Sequence, residues 1–186
     1  MRDDARGGFG GPLMTAMAVL VLILAGAVAL QVAANALDLN PLLDWEGEVP
    51  FLGGALSLNA LLDLQWHLLA TVALLPAGTV WLRDRHVRVD VIHARLPRRG
   101  RALVDLIGNL VFAAPFLVLV LPASWGFAAR AWAVDEGSAN GGLVDLWLVK
   151  GMLPIGLGLL ALAVLWEMLR LLHLLLRGDG TGGADG

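Results

Sequence analysis

Residues 13–37 read LMTAMAVLVLILAGAVALQVAANAL, and no charged side chain interrupts them until Asp38. A bilayer's hydrocarbon core is about 30 Å thick, and about 20 mostly apolar helical residues cross it. Helix is the conformation that fits this stretch, because lipid offers the backbone no hydrogen-bond partners. The whole chain has the same character. Of its 186 residues, 58% are hydrophobic and 16% charged, and the mean hydropathy is +0.76. A soluble domain is about 45–50% apolar and about 25% charged. The composition therefore excludes a disordered chain and argues against a water-soluble enzyme. Cysteine is absent, which removes disulfides, thiolate metal sites and cysteine nucleophiles.

Three further stretches match the first: Leu61–Leu82, Leu103–Ala129 and Leu146–Leu176. The reading is an all-α integral membrane protein with four transmembrane helices. The alternation of membrane β-strands is missing. Arginine sets the orientation. The segment between the second and third spans holds Arg83, Arg85, Arg88, Arg95, Arg98, Arg99 and Arg101, whereas the segment between the first and second holds only acidic charges, Asp38, Asp44, Glu46 and Glu48. The positive-inside rule then places both termini and the Arg-rich loop in the cytoplasm. Trp66, Trp125, Trp132 and Trp147 fall toward the outer ends of their spans, and Trp81 and Trp166 toward the inner ends, as two interfacial belts would. Ala34-Asn35-Ala36 has the look of a signal-peptidase site, but the apolar run before it exceeds the roughly 7–15 residues of a secretory signal. It is read as a retained span. Residues 1–177 form one membrane domain in this reading, residues 38–57 an outer loop with room for a short interfacial turn, and residues 178–186 a Gly-rich flexible tail.

Chemistry is sparse. Asp63 and His67, spaced i,i+4, share a helix face; a hydrogen-bonded pair near the interface is favoured over a proton relay. Asp105 can pair with Arg101, Glu167 with Arg170, and Asn109 can bond to a neighbouring helix. Haem held by two histidines needs both at one depth, yet His67 lies near the outer face and His173 near the inner one. Zinc lacks a ligand cluster. No internal repeat, phosphate loop or nucleophile motif is present. In the inner loop, the alternation of polar and apolar residues from Val87 to Val91 suits either lipid head-group contact or docking to a partner, and the two readings stand evenly. Four helices without a polar site at mid-membrane describe a subunit that packs on something larger.

Several motifs together resemble the small membrane subunit of TRAP (tripartite ATP-independent periplasmic) transporters, the DctQ-like family, over about Leu13–Leu176. They are Asp63-Leu64-Gln65-Trp66-His67-Leu68, His86-Val87-Arg88-Val89-Asp90-Val91, Arg101 through Gly108, Glu136-Gly137-Ser138, Trp147-Leu148-Val149-Lys150 and Pro154-Ile155-Gly156. The long acidic outer loop from Asp38 to Gly54 departs from the pattern. The resemblance implies a scaffold subunit of a sodium-coupled importer of organic acids in the bacterial inner membrane. Its partners would be a large membrane subunit, a periplasmic substrate-binding protein and membrane lipids, with no nucleic acid, no cofactor, no metal and no enzymatic activity. Candidate scaffold or partner-contact residues are Gln65, Trp66, His67, Arg88, Asp90, Lys150 and Pro154; Lys150 is read first as a helix anchor. Competing classes are a membrane anchor of a respiratory complex and an independent small transporter.

Overall fold

The computed structural model of the chain describes residues 10–83 and 96–177. Arg88, Asp90 and the tail at 178–186 lie outside the described residues. The first span is helix α1, Gly10–Ala36. At about 1.5 Å per residue its 27 residues exceed the hydrocarbon thickness. After it comes an antiparallel hairpin, β1 (Leu43–Val49) and β2 (Gly53–Leu56). The second span is α2 (Leu58–Leu74) followed by α3 (Ala77–Leu82), broken at Pro76, which has no N–H to continue the ladder. The third is α4 (Arg98–Gly108), a π-helical turn (Asn109–Ala113) and α5 (Ala114–Ala133). The fourth is α6, Trp147–Leu176. All four spans are long and apolar enough to cross a membrane.

Two expectations change. Residues 38–57 contain a β-hairpin rather than an irregular loop: Leu43, Trp45 and Val49 alternate with Asp44, Glu46 and Glu48, the period of a strand. The third span is also longer than its apolar run and starts before Leu103. Its π-turn has a local cause. Pro115 cannot donate to the carbonyl of Val111, four residues back, and its ring crowds that carbonyl; a wider turn relieves both problems.

The spans pack as a row rather than a closed bundle. α1 packs on α2, α2 and α3 pack on one side of α6, and α4 and α5 pack on α6 as well. Of the most apolar stretch of α6, 28% is buried within the chain, against 11% in α1 and 11% in the third span. α6 is thus the central element. Its contact with α5 is an aliphatic cluster of Leu117, Leu157 and Val164. Its contact with the second span is closer and depends on glycine. A Cβ on Gly78 would lie 2.6 Å from the Leu159 carbonyl oxygen, and one on Gly156 2.7 Å from that of Leu74. Small residues at such crossings let membrane helices approach backbone to backbone, where dispersion replaces the hydrophobic drive that lipid cannot supply. These pairings make α2–α3 and α6 run parallel. They gather the start of α1, the end of α3 and the last turns of α6 at one end of the row, with the hairpin at the other.

Candidate docking site at the hairpin end

The site grows from Ser57, whose hydroxyl caps α2 by accepting the Ala60 N–H at 3.1 Å. One turn on, Asp63 reaches across to the segment joining α5 to α6 and accepts the Leu143 N–H with Oδ2 at 3.1 Å. Leu143 is fully buried. Gly142 makes this approach feasible, since a Cβ there would overlap the Asp63 carboxylate. Asn59 Nδ2 donates to the Asn140 carbonyl at 2.6 Å in the same seam. The hairpin tip docks beside it. The Phe51 N–H donates to Asp145 Oδ2 at 3.1 Å, and the Val144 N–H donates to the Phe51 carbonyl at 3.1 Å. Both Phe51 (φ 72°) and Asp145 (φ 58°) sit in the left-handed region, which costs a bulky residue on the order of 1–3 kcal/mol and persists where the surroundings over-determine it. Here Phe51 is held by both bonds, one to the Asp145 side chain and one from the Val144 main chain. Trp45 closes the hairpin by donating Nε1 to the Gly53 carbonyl at 2.8 Å.

His67 lies beneath Phe51, the rings edge to face with centroids 5.6 Å apart. Its Nδ1 lies 2.5 Å from the Asp63 carbonyl oxygen. A carbonyl only accepts, so Nδ1 carries the proton. Nε2 is buried with no hydrogen-bond partner. The expected Asp63–His67 hydrogen bond therefore runs to the main chain of Asp63 rather than to its carboxylate, which is taken by the backbone of Leu143.

The other candidates fall in three places. Gln65 faces α1 and donates Nε2 to Gln31 Oε1 at 2.6 Å. Trp66, one residue on, is exposed. Lys150 is engaged within the chain: Nζ lies 2.5 Å from Glu136 Oε1 and 4.4 Å from the centre of the Phe127 ring. Trp147 meets Trp132 edge to face at 4.3 Å. Pro154 is buried on the contact face of α6. Gln65, His67 and Lys150 thus belong to one end of the row, Pro154 lies about one turn of helix further in than Lys150, and Arg88 and Asp90 are outside the described residues. Toward the opposite end, Arg170 donates Nη1 to Glu167 Oε2 at 3.2 Å, as expected from their spacing. Sequence reasoning missed Phe51, Gly142 and Asp145. Glycine at 142 was a visible signal, but its meaning depends on Asp63, some 80 residues away. No group of three metal-ligating side chains occurs among the described residues. Among the described residues, nothing at this end assembles a nucleophile with a base; it is a latch joining two connecting segments, with an acidic strand above it.

Residues 51–174 match the family model of the DctQ component of tripartite ATP-independent periplasmic transporters. The chain belongs to the DctQ family. It is thus a small, multi-pass membrane component of a TRAP transporter, from a family of transporter components rather than of enzymes. DctQ components work with a large membrane subunit and a substrate-binding protein. A search of curated proteins finds no match. The family match begins at Phe51, so it includes the latch of Phe51, Asp63, His67 and residues 142–145; β1 with its acidic side chains precedes it.

Proposed function

We propose that this DctQ chain is the static scaffold subunit of a sodium-coupled importer of an organic acid in the bacterial inner membrane. The large membrane subunit carries the solute and ion sites, and a periplasmic substrate-binding protein delivers the solute. The observation that carries this reading is how polar side chains within the spans are used. Gln31 and Gln65 bond to each other, Thr71 donates to the His67 carbonyl, Ser124 to that of Leu121, and Arg170 to Glu167. Polar groups in a span mark a solute pathway when they face a cavity or one another along it; these close on the chain itself, and the exceptions, His67 Nε2 beneath Phe51 and Thr79 in a groove at the opposite end, are far apart and form no path. A row of helices, each bound to its neighbour, presents two broad apolar faces, one for a partner and one for lipid. Both termini and the Arg-rich segment after Leu82 face the cytoplasm, and the hairpin faces the periplasm.

The hairpin end is where the binding protein meets this subunit. Asp38, Asp44, Glu46 and Glu48 are exposed there, and opposite charge on a partner would steer its approach. Reconstitution into sodium-free proteoliposomes, with sodium then added to the outside, tests the scheme. Uptake of an organic acid is expected from the chain together with its large subunit and binding protein, and none from the chain alone. Sodium-driven uptake by the isolated chain overturns it.

A further inference from the structure

At the end of the row opposite the hairpin, α1 stays with α2 while α3 is drawn onto α6 through Gly78. A groove of about 490 Å³ remains between the three. Leu13 of α1, Leu75, Thr79 and Leu82 of the second span, and Ala163 and Trp166 of α6 are among its lining residues; Thr79 is the single polar residue of the lining among the described residues. It follows α6 from Leu159 to Trp166, about two turns. Its apolar walls suit hydrocarbon, and its length takes part of a lipid tail.

The rim of the groove has the opposite character. Leu82 is followed directly by Arg83, an exposed residue. Arg170 stands one turn beyond Trp166 on the same face of α6. Its side chain is 67% exposed, and its bond to Glu167 uses one nitrogen of the guanidinium, which has five donors in all. Guanidinium groups match phosphate oxygens in a bidentate fork. Trp166 is exposed beside them, and Trp side chains favour head-group depth. We infer that this groove is a binding site for one anionic phospholipid, its tail between α1, α3 and α6 and its phosphate on Arg83 and Arg170. The leaflet, cytoplasmic, follows from the orientation proposed above; the site itself does not depend on that orientation or on the transport reading.

Native mass spectrometry of the full chain in mild detergent tests the inference, with phosphatidylglycerol and phosphatidylcholine of identical tails as probes. The expected result is one tightly retained lipid per chain, with phosphatidylglycerol preferred. Arg83→Gln and Arg170→Gln should each reduce that preference by about fivefold, the effect of one basic side chain at an anionic surface, and leave phosphatidylcholine retention unchanged. Thr79→Phe, which fills the groove, should abolish retention of both. Equal retention of the two lipids by the unaltered chain overturns the inference. So does a phosphatidylglycerol preference that survives both Gln variants, or retention that survives Thr79→Phe, whatever that variant does to co-purification of the large subunit.

Discussion

Asp63 is the residue on which the hairpin end turns. Its carboxylate serves a buried backbone N–H in a segment 80 residues away. Removing the acceptor by Asp63→Ala strands that N–H at a cost of about 1–3 kcal/mol. Asp63→Asn keeps an oxygen in place and should cost less. Thermal unfolding in detergent, read with the Trp132–Trp147 pair as a near-ultraviolet reporter, will rank the two; equal losses would mean that the Leu143 bond contributes nothing. Gly142→Ala should resemble Asp63→Ala, because the methyl occupies the place of the carboxylate. Phe51→Ala removes a half-buried ring from the face of His67 and should cost about 1–2 kcal/mol, a part of the 1.5–3 kcal/mol for full burial of such a side chain. The sequence made Asp63 and His67 conspicuous as an i,i+4 pair, yet their actual partners are on the main chain. Spacing along a helix tells which side chains are neighbours, and a backbone amide arriving from a distant loop leaves no mark in that spacing.

Among the elements, the parallel seam of α2–α3 with α6 depends most on side-chain size. Gly78→Val and Gly156→Val each force a side chain into backbone. Overpacking a fitted contact costs about 1–3 kcal/mol, and both variants should lower the unfolding temperature while Gly26→Val, at a position with open space around it, does not. The hairpin carries a different prediction. Reversing Asp44, Glu46 and Glu48 to Lys should weaken capture of the substrate-binding protein at low salt, with the difference fading as ionic strength approaches 1 M and the screening length falls to about 3 Å. Surface plasmon resonance on the detergent-solubilised transporter measures it; a salt-independent difference would place the contact elsewhere. The four spans were legible because length and hydropathy alone select helix in lipid. The hairpin was also written in the sequence, as the alternation from Leu43 to Val49, but the prolines and glycines in and around it, Pro41, Gly47, Pro50, Gly53 and Gly54, read first as loop. The row arrangement was not legible, because both faces of every span are apolar and lipid does not distinguish a buried leucine from an exposed one.

Over the whole molecule, orientation is the property with the most direct check. The natural chain contains no cysteine, so a single introduced thiol reports without background. Glu46→Cys should react with a membrane-impermeant maleimide in cells whose outer membrane has been made permeable, and Arg83→Cys only after the inner membrane is opened. The reverse pattern would invert the proposed topology and with it the role of the hairpin. The central position of α6 has a further meaning for biogenesis. It is the last of the four spans to leave the ribosome, and the second and third spans pack on it: α2–α3 fits it through two glycines, and α5 through Leu117, while α1 is held by α2. Until it arrives, the translocon has released an α1–α2 pair and a solitary third helix with no seam between them. A polypeptide truncated before Trp147 would thus be three inserted rods without a keystone, a clear substrate for membrane proteolysis, and surveillance of that one helix would suffice to separate finished subunits from abandoned ones.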